Sequence, residues 1–394
     1  MTTTINNEHK KLNVPNLRFK EFKGEWKEKT IGEIATIKNG PFGSALHAED
    51  YVDEGMPIVT TEHFKNGSLP LSKNGIPQVS EDDYCRLKGY LLETNDIVFS
   101  RVGSVDINAH VEQAQQGWLF SGRVLRVRPI RSINSLCLHY VLSTESVKRD
   151  IRNRAVGQTM PSINTPILSS TKIFMPQSEV EQKKIVSLLA LLDERIATQN
   201  KIIEDLKKLK SAISKKLLCN DKWTTYKIQD IAEIGRGCVI SSVEIERQKH
   251  PIYPVYSSQT SNNGIMGYLD EYMFDGEYIT WTTDGANAGT VFYRNGRFNC
   301  TNVCGTLKIQ PKFDCYFVSL VLQQATQKYV SSNLANPKLM NNTMASIKIK
   351  MPDIETQKQL SKVFQTLDSC LLIRQRTYKM YLREKQYLLC QMFI

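Results

Sequence analysis

The sequence predicts an α+β chain: two similar mixed α/β modules separated by two long antiparallel helices forming a coiled coil, with a pseudo-twofold internal repeat. Three observations lead there. Trp26-Lys-Glu-Lys-Thr-Ile-Gly-Glu-Ile-Ala-Thr-Ile-Lys-Asn-Gly40 returns 197 residues later as Trp223-Thr-Thr-Tyr-Lys-Ile-Gln-Asp-Ile-Ala-Glu-Ile-Gly-Arg-Gly237, with Trp, three Ile, Ala and the last Gly at unchanged spacing. Lys172-Ile-Phe-Met-Pro176 is echoed by Lys348-Ile-Lys-Met-Pro352. Each echo then opens a long amphipathic stretch, Glu181-Gln-Lys-Lys-Ile185 in one copy and Thr356-Gln-Lys-Gln-Leu360 in the other.

Residues 1–22 are polar, lack periodicity and contain Pro15, so they read as a flexible N-terminal segment. Residues 23–176 form the first module. Short apolar runs are broken by turns such as Asn66-Gly and Asn74-Gly-Ile-Pro77, and Ile97-Val-Phe-Ser100 and Val124-Leu-Arg-Val-Arg-Pro129 read as strands. Residues 177–220 form a central helix with an apolar stripe through Leu189, Leu192, Ile196, Ile203 and Leu206. Residues 221–352 repeat the order of the first module with shorter loops, Tyr278-Ile-Thr-Trp281 and Thr306-Leu-Lys-Ile-Gln-Pro311 answering its two strands. Residues 353–394 form the second helix, striped by Phe364, Leu367, Leu371, Tyr378 and Tyr381. The polar breaks coincide too: Gln199 answers Arg374, and Lys210 answers Lys385. An apolar seam needs a partner, and the nearest candidate is the other helix; an antiparallel pair then gives the repeat its twofold relation. Packing of each helix on its own module is the simpler alternative.

At 394 residues the chain exceeds one ordinary core. No apolar run is long enough to span a bilayer, and the first residues lack a signal core. Nine cysteines without regular spacing fit reduced thiols and a cytoplasmic protein. The net charge of +11 favours an anionic partner. The excess is spread as +3, +3, +2 and +3 over residues 1–176, 177–222, 223–352 and 353–394, so no basic tail explains it.

Signatures of catalysis are missing. There is no phosphate-binding Gly-rich loop, and Gly235-Arg-Gly237 does not continue into a dinucleotide motif. Asn336-Pro337-Lys338 fails the adenine-methylase tetrapeptide at its third position. Asp353 and Glu355 sit where a helix start needs acceptors for its exposed N–H groups, so capping explains them better than a nuclease site. Cys300, Cys304 and Cys315 have atypical spacing for zinc and no nearby His, and no metal site is expected.

Polar and basic residues in loops on a common scaffold are the types that hold phosphates or read base edges. In the first module these are Lys38, Asn39, Ser44, Arg101, Arg123, Arg152, Arg154 and Gln158, alongside the strand arginines Arg126, Arg128 and Arg131. In the second they are Arg236, Ser257, Ser258, Asn263, Asn287, Arg297, Lys338 and Asn341, with Arg294 nearby.

The layout resembles the specificity subunit of type I restriction-modification systems over essentially the whole chain. The resemblance is carried by the module starts at Trp26 and Trp223, Met-Pro at 175–176 and 351–352, Gln-Lys at 182–183 and 357–358, and Leu-Asp at 192–193 and 367–368. It implies two target-recognition domains, each reading half of a split double-stranded DNA site, and spacer helices that set the unread gap. It implies a non-catalytic subunit without a cofactor of its own. Two methyltransferase subunits using S-adenosylmethionine would modify adenine, and two restriction subunits using ATP and Mg2+ would join in the full complex. The gap between Met-Pro and Gln-Lys differs by one residue between copies, so the two junctions need not superimpose. The competing reading is a two-module coiled-coil scaffold binding acidic protein partners.

Overall fold

A computed structural model describes residues 13–41, 46–218, 220–331 and 336–394. The chain falls into two compact units, residues 1–198 with 377–394, and residues 199–376.

In the first unit, β1 (Lys27–Thr30), α1 (Ile31–Ile34) and β2 (Ala35–Asn39) come from the first copy of the repeated motif. Trp26, Ile31, Ile34 and Ala35 are all buried in one apolar cluster, which is why these types recur at this spacing. A small sheet of β3 (Tyr51–Val52), β4 (Met56–Val59), β5 (Gln78–Val79) and β8 (Leu119–Phe120) runs in the order β3-β5-β4-β8. The main sheet adds β6 (Ile97–Ser100), β7 (Asn108–His110) and β9 (Val124–Pro129) to β2, in the antiparallel order β2-β9-β6-β7. α2 (Glu81–Arg86), α3 (Ser135–Leu142), α4 (Glu145–Arg154) and α5 (Thr165–Ser169) complete the unit with β10 (Lys172–Met175), which pairs back onto β1.

The second unit repeats the plan. β11 (Thr224–Lys227), α7 (Ile228–Ile231) and β12 (Ala232–Arg236) carry the second copy of the motif, following the long helix α6 (Glu179–Leu217). β15 (Glu277–Thr282), β16 (Val291–Asn295) and β18 (Cys304–Ile309) join β12 in the order β12-β18-β15-β16. α8 (Ser242–Glu246) precedes a smaller sheet of β13 (Tyr253–Tyr256), β14 (Ile265–Leu269) and β17 (Asn299–Cys300). α9 (Cys315–Ala325), α10 (Asn341–Ser346) and β19 (Lys348–Met351) lead into α11 (Ile354–Met392), and β19 pairs with β11.

Both long helices start on side-chain caps. Ser178 Oγ accepts from the Glu181 N–H at 3.3 Å, and Asp353 Oδ1 accepts from the Thr356 N–H at 3.0 Å. That bond holds the Asp353 carboxyl below its usual range. The Gln of each Gln-Lys start is buried and bridges two elements. Gln182 donates to the Pro176 carbonyl (3.0 Å) and accepts from the Asn134 N–H (2.9 Å). Gln357 donates to the Pro352 carbonyl (2.8 Å) and accepts from the Asp314 N–H (3.0 Å). The same two bonds form despite the one-residue difference in the preceding gap, so the extra residue is absorbed before the helix. Gln357→Ala is expected to cost about 1–3 kcal/mol for each buried group left unpaired, measured as a lower urea midpoint with an unchanged slope.

Each compact unit takes a half of both helices. In the first, Ile185 and Leu189 of α6 share a core with Met392 and Phe393 at the end of α11, and Asp193 pairs with Lys385, so the helices run antiparallel there. In the second, Phe364 of α11 shares a core with Leu218, Ile213 at the end of α6 packs against it, and Lys210 pairs with Asp368. Each Asp also accepts from a tyrosine of its own module, Tyr140 to Asp193 at 2.8 Å and Tyr316 to Asp368 at 2.6 Å. The coinciding lysine breaks in the stripe thus belong to two equivalent Tyr–Asp–Lys clusters. Leu189, Leu192, Ile203 and Phe364 are buried, whereas Ile196, Leu206, Leu367, Leu371, Tyr378 and Tyr381 are half-buried. Leu189 and Phe364 lie in module cores, so the stripe serves the modules as well as the opposite helix.

Residues 13–22 of the N-terminal segment differ from its reading as flexible. Residues 1–12 lie outside the described residues, but Arg18 pairs with the buried Glu181 at 2.7 Å, and the Leu17 N–H donates to the Gln391 carbonyl at 2.8 Å. Glu181 also accepts from Trp26 Nε1 at 3.2 Å. A buried carboxylate needs such a cation, and its partner lies too far off in sequence to be seen there.

Candidate nucleic-acid interface

In the main sheet of the first module, β2 and β6 end where β9 begins: Asn39 pairs with Leu125, and Ser100 with Val124. The loops after β2, after β6 and before β9 therefore share one end of the sheet. Backbone bonds tie them together, from the Gly40 N–H to the Val124 carbonyl (3.1 Å) and from the Arg101 N–H to the Arg123 carbonyl (3.0 Å). The hairpin closed by Val156 and Ser162 joins this end through the Gly103 N–H on the Pro161 carbonyl at 2.8 Å. The final Gly of the repeated motif is required here. A Cβ on Gly40 would lie 2.0 Å from the Ser121 carbonyl oxygen, and one on Gly237 would lie 2.2 Å from that of Cys300.

This end gathers Asn39, Arg101, Arg123 and Gln158. Asn39 Oδ1 accepts from Thr165 Oγ1 at 3.3 Å, and the half-buried Arg101 donates to the Gly122 carbonyl at 3.1 Å. Arg123 and Gln158 are exposed. Lys38 is exposed on the next position of β2, where it donates to the Gly89 carbonyl at 2.7 Å and sits 4.8 Å from the Tyr90 ring centre. Ser44 lies outside the described residues.

Other cations proposed from the sequence are engaged inside the fold. Arg154 donates to the Ile167 carbonyl and Ser170 Oγ, both at 3.0 Å, and so bolts α4 to α5. Arg152 pairs with Glu145 and Asp106, which hold its pKa up. Arg128 donates to both oxygens of the buried Asp96, at 2.7 and 2.8 Å, and to Glu93. Arg126 reaches the Leu91 carbonyl.

The second module builds the same end from β12, β15 and the loop before β18. Arg236 donates to the Asn302 carbonyl (2.6 Å) and to Thr283 Oγ1 (3.3 Å). Asn341 donates to the Gly235 carbonyl, Lys338 approaches Asp284 at 3.9 Å, and Asn287 donates to the Ser258 carbonyl at 3.0 Å. Ser257 Oγ accepts from Thr301. Asn263 stands exposed in the turn between β13 and β14 with φ +54°. The fold thus brings together Arg236, Ser257, Ser258, Asn287, Lys338 and Asn341. Arg297 lies elsewhere, paired with Asp275 beside the opposite end of β15. Arg294 is buried, 3.5 Å from the Tyr256 ring centre and 4.4 Å from that of Phe292, and burial lowers its pKa. Thr283 and Asn302 were missed from sequence; in the fold the Thr283 N–H meets the Val303 carbonyl (2.9 Å) as the Arg101 N–H meets that of Arg123.

Cys300, Cys304 and Cys315 are buried, and burial pushes the Cys304 thiol up to about 11 and Cys315 to about 12. Among the described residues no three His, Cys, Asp or Glu groups are placed to hold a metal ion. No helix among them is long and apolar enough to cross a membrane.

The family model described as the type I restriction modification DNA specificity domain matches residues 23–208 and again 220–379. The chain belongs to this family. A putative type I specificity subunit N-terminus of Mycoplasma pneumoniae is 45% identical over 147 residues, 36% of this chain and 76% of that protein. The MpnII type I restriction enzyme specificity subunit of the same organism is 41% identical over 145 residues, 36% of this chain and 43% of that protein. This chain spans under half the length of several such relatives, 44% and 47% of two further ones. The crystal structure of a type I restriction-modification S subunit from M. genitalium shares the fold, with a TM-score of 0.69 and 17% identity over 97% of this chain and 99% of that one. Each module thus falls within its own match to the DNA specificity domain.

Proposed function

We propose that this specificity subunit reads a bipartite double-stranded DNA target, one half-site per module, and directs adenine methylation and restriction by partner subunits in the cytoplasm. The single observation that carries the reading is the duplicated sheet end. Each module gathers loop residues able to meet DNA at the same place on an equivalent scaffold, with different side chains: Asn39, Arg101 and Arg123 in one, Arg236, Thr283 and Lys338 in the other. Two methyltransferase subunits pack against the helical framework and bind S-adenosylmethionine, and two restriction subunits supply the ATP- and Mg2+-dependent cutting. The chain itself carries recognition and no chemistry.

The test is a salt titration of duplex binding, with and without the methyltransferase partner. The chain alone is expected to bind with a steep fall of log K on log salt and little preference for sequence. Adding the partner should raise the specificity ratio toward ~10³–10⁷. Arg123→Ala should shallow the salt slope by about one, the loss of one phosphate contact. Salt-independent binding to duplex, or methyl transfer by the chain alone, would sink the reading.

A further inference from the structure

We propose that the hairpin from Val156 to Ser162 is a DNA wedge, with Met160 as the apolar side chain that enters the base stack at the half-site of the first module. The inference rests on the reading of this end of the sheet as the DNA face. Val156 and Ser162 exchange two backbone bonds (2.9 and 2.8 Å), and the Gly103 N–H holds the Pro161 carbonyl, so the base of the hairpin is fixed to the loop after β6. Gly157 takes φ +105°, and a Cβ there would lie 2.8 Å from the Met160 carbonyl oxygen, so its turn is closed to other residues. On this short, pinned turn the apolar residues face outward: Val156 is 64% and Met160 60% exposed. Met160 thus lies largely in solvent on a turn fastened to the Arg101 loop, where the Ile163 N–H donates to the Arg101 carbonyl and the Arg101 N–H to that of Arg123. Apolar wedges of this kind, Met among them, part base steps when cationic neighbours hold the phosphates. Parting a step also lowers the cost of turning a base out for a methyltransferase. Gln158, exposed on the same turn, is placed to meet base edges opened by the wedge.

The experiment uses the full chain assembled with its methyltransferase subunit. Duplexes carry 2-aminopurine at successive positions of the half-site, which is first defined by methylation sequencing. The assembly with the native chain, and with Met160→Leu, should raise the fluorescence severalfold at one step. Met160→Ala should abolish that rise and slow methylation at the motif, while the salt slope of binding stays unchanged. Gly157→Val keeps Met160 but cannot keep the turn, and should lose the signal as well. Equal fluorescence and methylation from the native chain and Met160→Ala would overturn the wedge and leave DNA reading intact. Full signal from Gly157→Val would overturn the claim that the turn presents Met160. An assembly with the native chain that lacks any motif preference would overturn the DNA face, and the wedge with it.

Discussion

Replacing residues 223–352 with the corresponding stretch of another specificity subunit is expected to rewrite one half of the methylated motif and leave the other half as it was. The expectation follows from where the differences between the modules lie. The frame around each sheet end is shared: the close approach of Gly40 and Gly237 to a backbone carbonyl, the order β2-β9-β6-β7 matched by β12-β18-β15-β16, and the buried glutamine bridge at each helix start. The loops those frames hold are unlike. Each mismatched base pair typically costs ~1–3 kcal/mol, so a foreign half-site of several pairs should shift preference by orders of magnitude. The exchange keeps Leu218, just past α6, and Phe364 of α11, the helix-side residues that share a core with the exchanged module. Methylation sequencing of cells carrying the exchanged chain gives the answer. A motif altered in both halves, or in neither while the complex still assembles, would contradict one half-site per module.

The repeat made the fold legible because its residues are the ones the core cannot change. Trp26, Ile31, Ile34 and Ala35 are buried, and so are Ile228, Ile231 and Ala232. The helices were legible from the stripe and its matching lysines. The split service of the stripe was not, because Leu189 and Leu192 look alike in sequence whichever surface covers them. The sheet ends were half legible: turn residues mark where loops lie, but not which loops share an end. Cations were the least legible of all. A strand arginine reads as available charge until its partner is known, and Asp96 lies 32 residues from Arg128, Glu181 163 residues from Arg18. Pairing across such distances is a property of the folded chain alone.

That distinction makes Arg128 and Arg123 opposite cases. Both stand in or beside β9, and both read from sequence as cations that could meet DNA. Asp96 is 1% exposed and accepts from Arg128 Nε and Nη2, with the Glu93 N–H on its second oxygen at 2.8 Å. Arg128→Ala would leave that carboxylate buried without its paired cation, and removing one partner of such a pair costs about 3–5 kcal/mol. Arg128→Lys restores the charge but not the two-pronged fit, so it should recover only part of the loss. Arg123 is exposed in the turn before β9, and its removal should change stability by no more than about 0.5 kcal/mol. The expected pattern is a large drop in urea midpoint for Arg128→Ala, with weaker DNA binding only in step with unfolding. Arg123→Ala should give the reverse, a native midpoint and a reduced salt slope. An Arg128→Ala chain as stable as the native one but deficient in DNA binding would return Arg128 to the interface. The pairing with Asp96 would then be incidental to the fold.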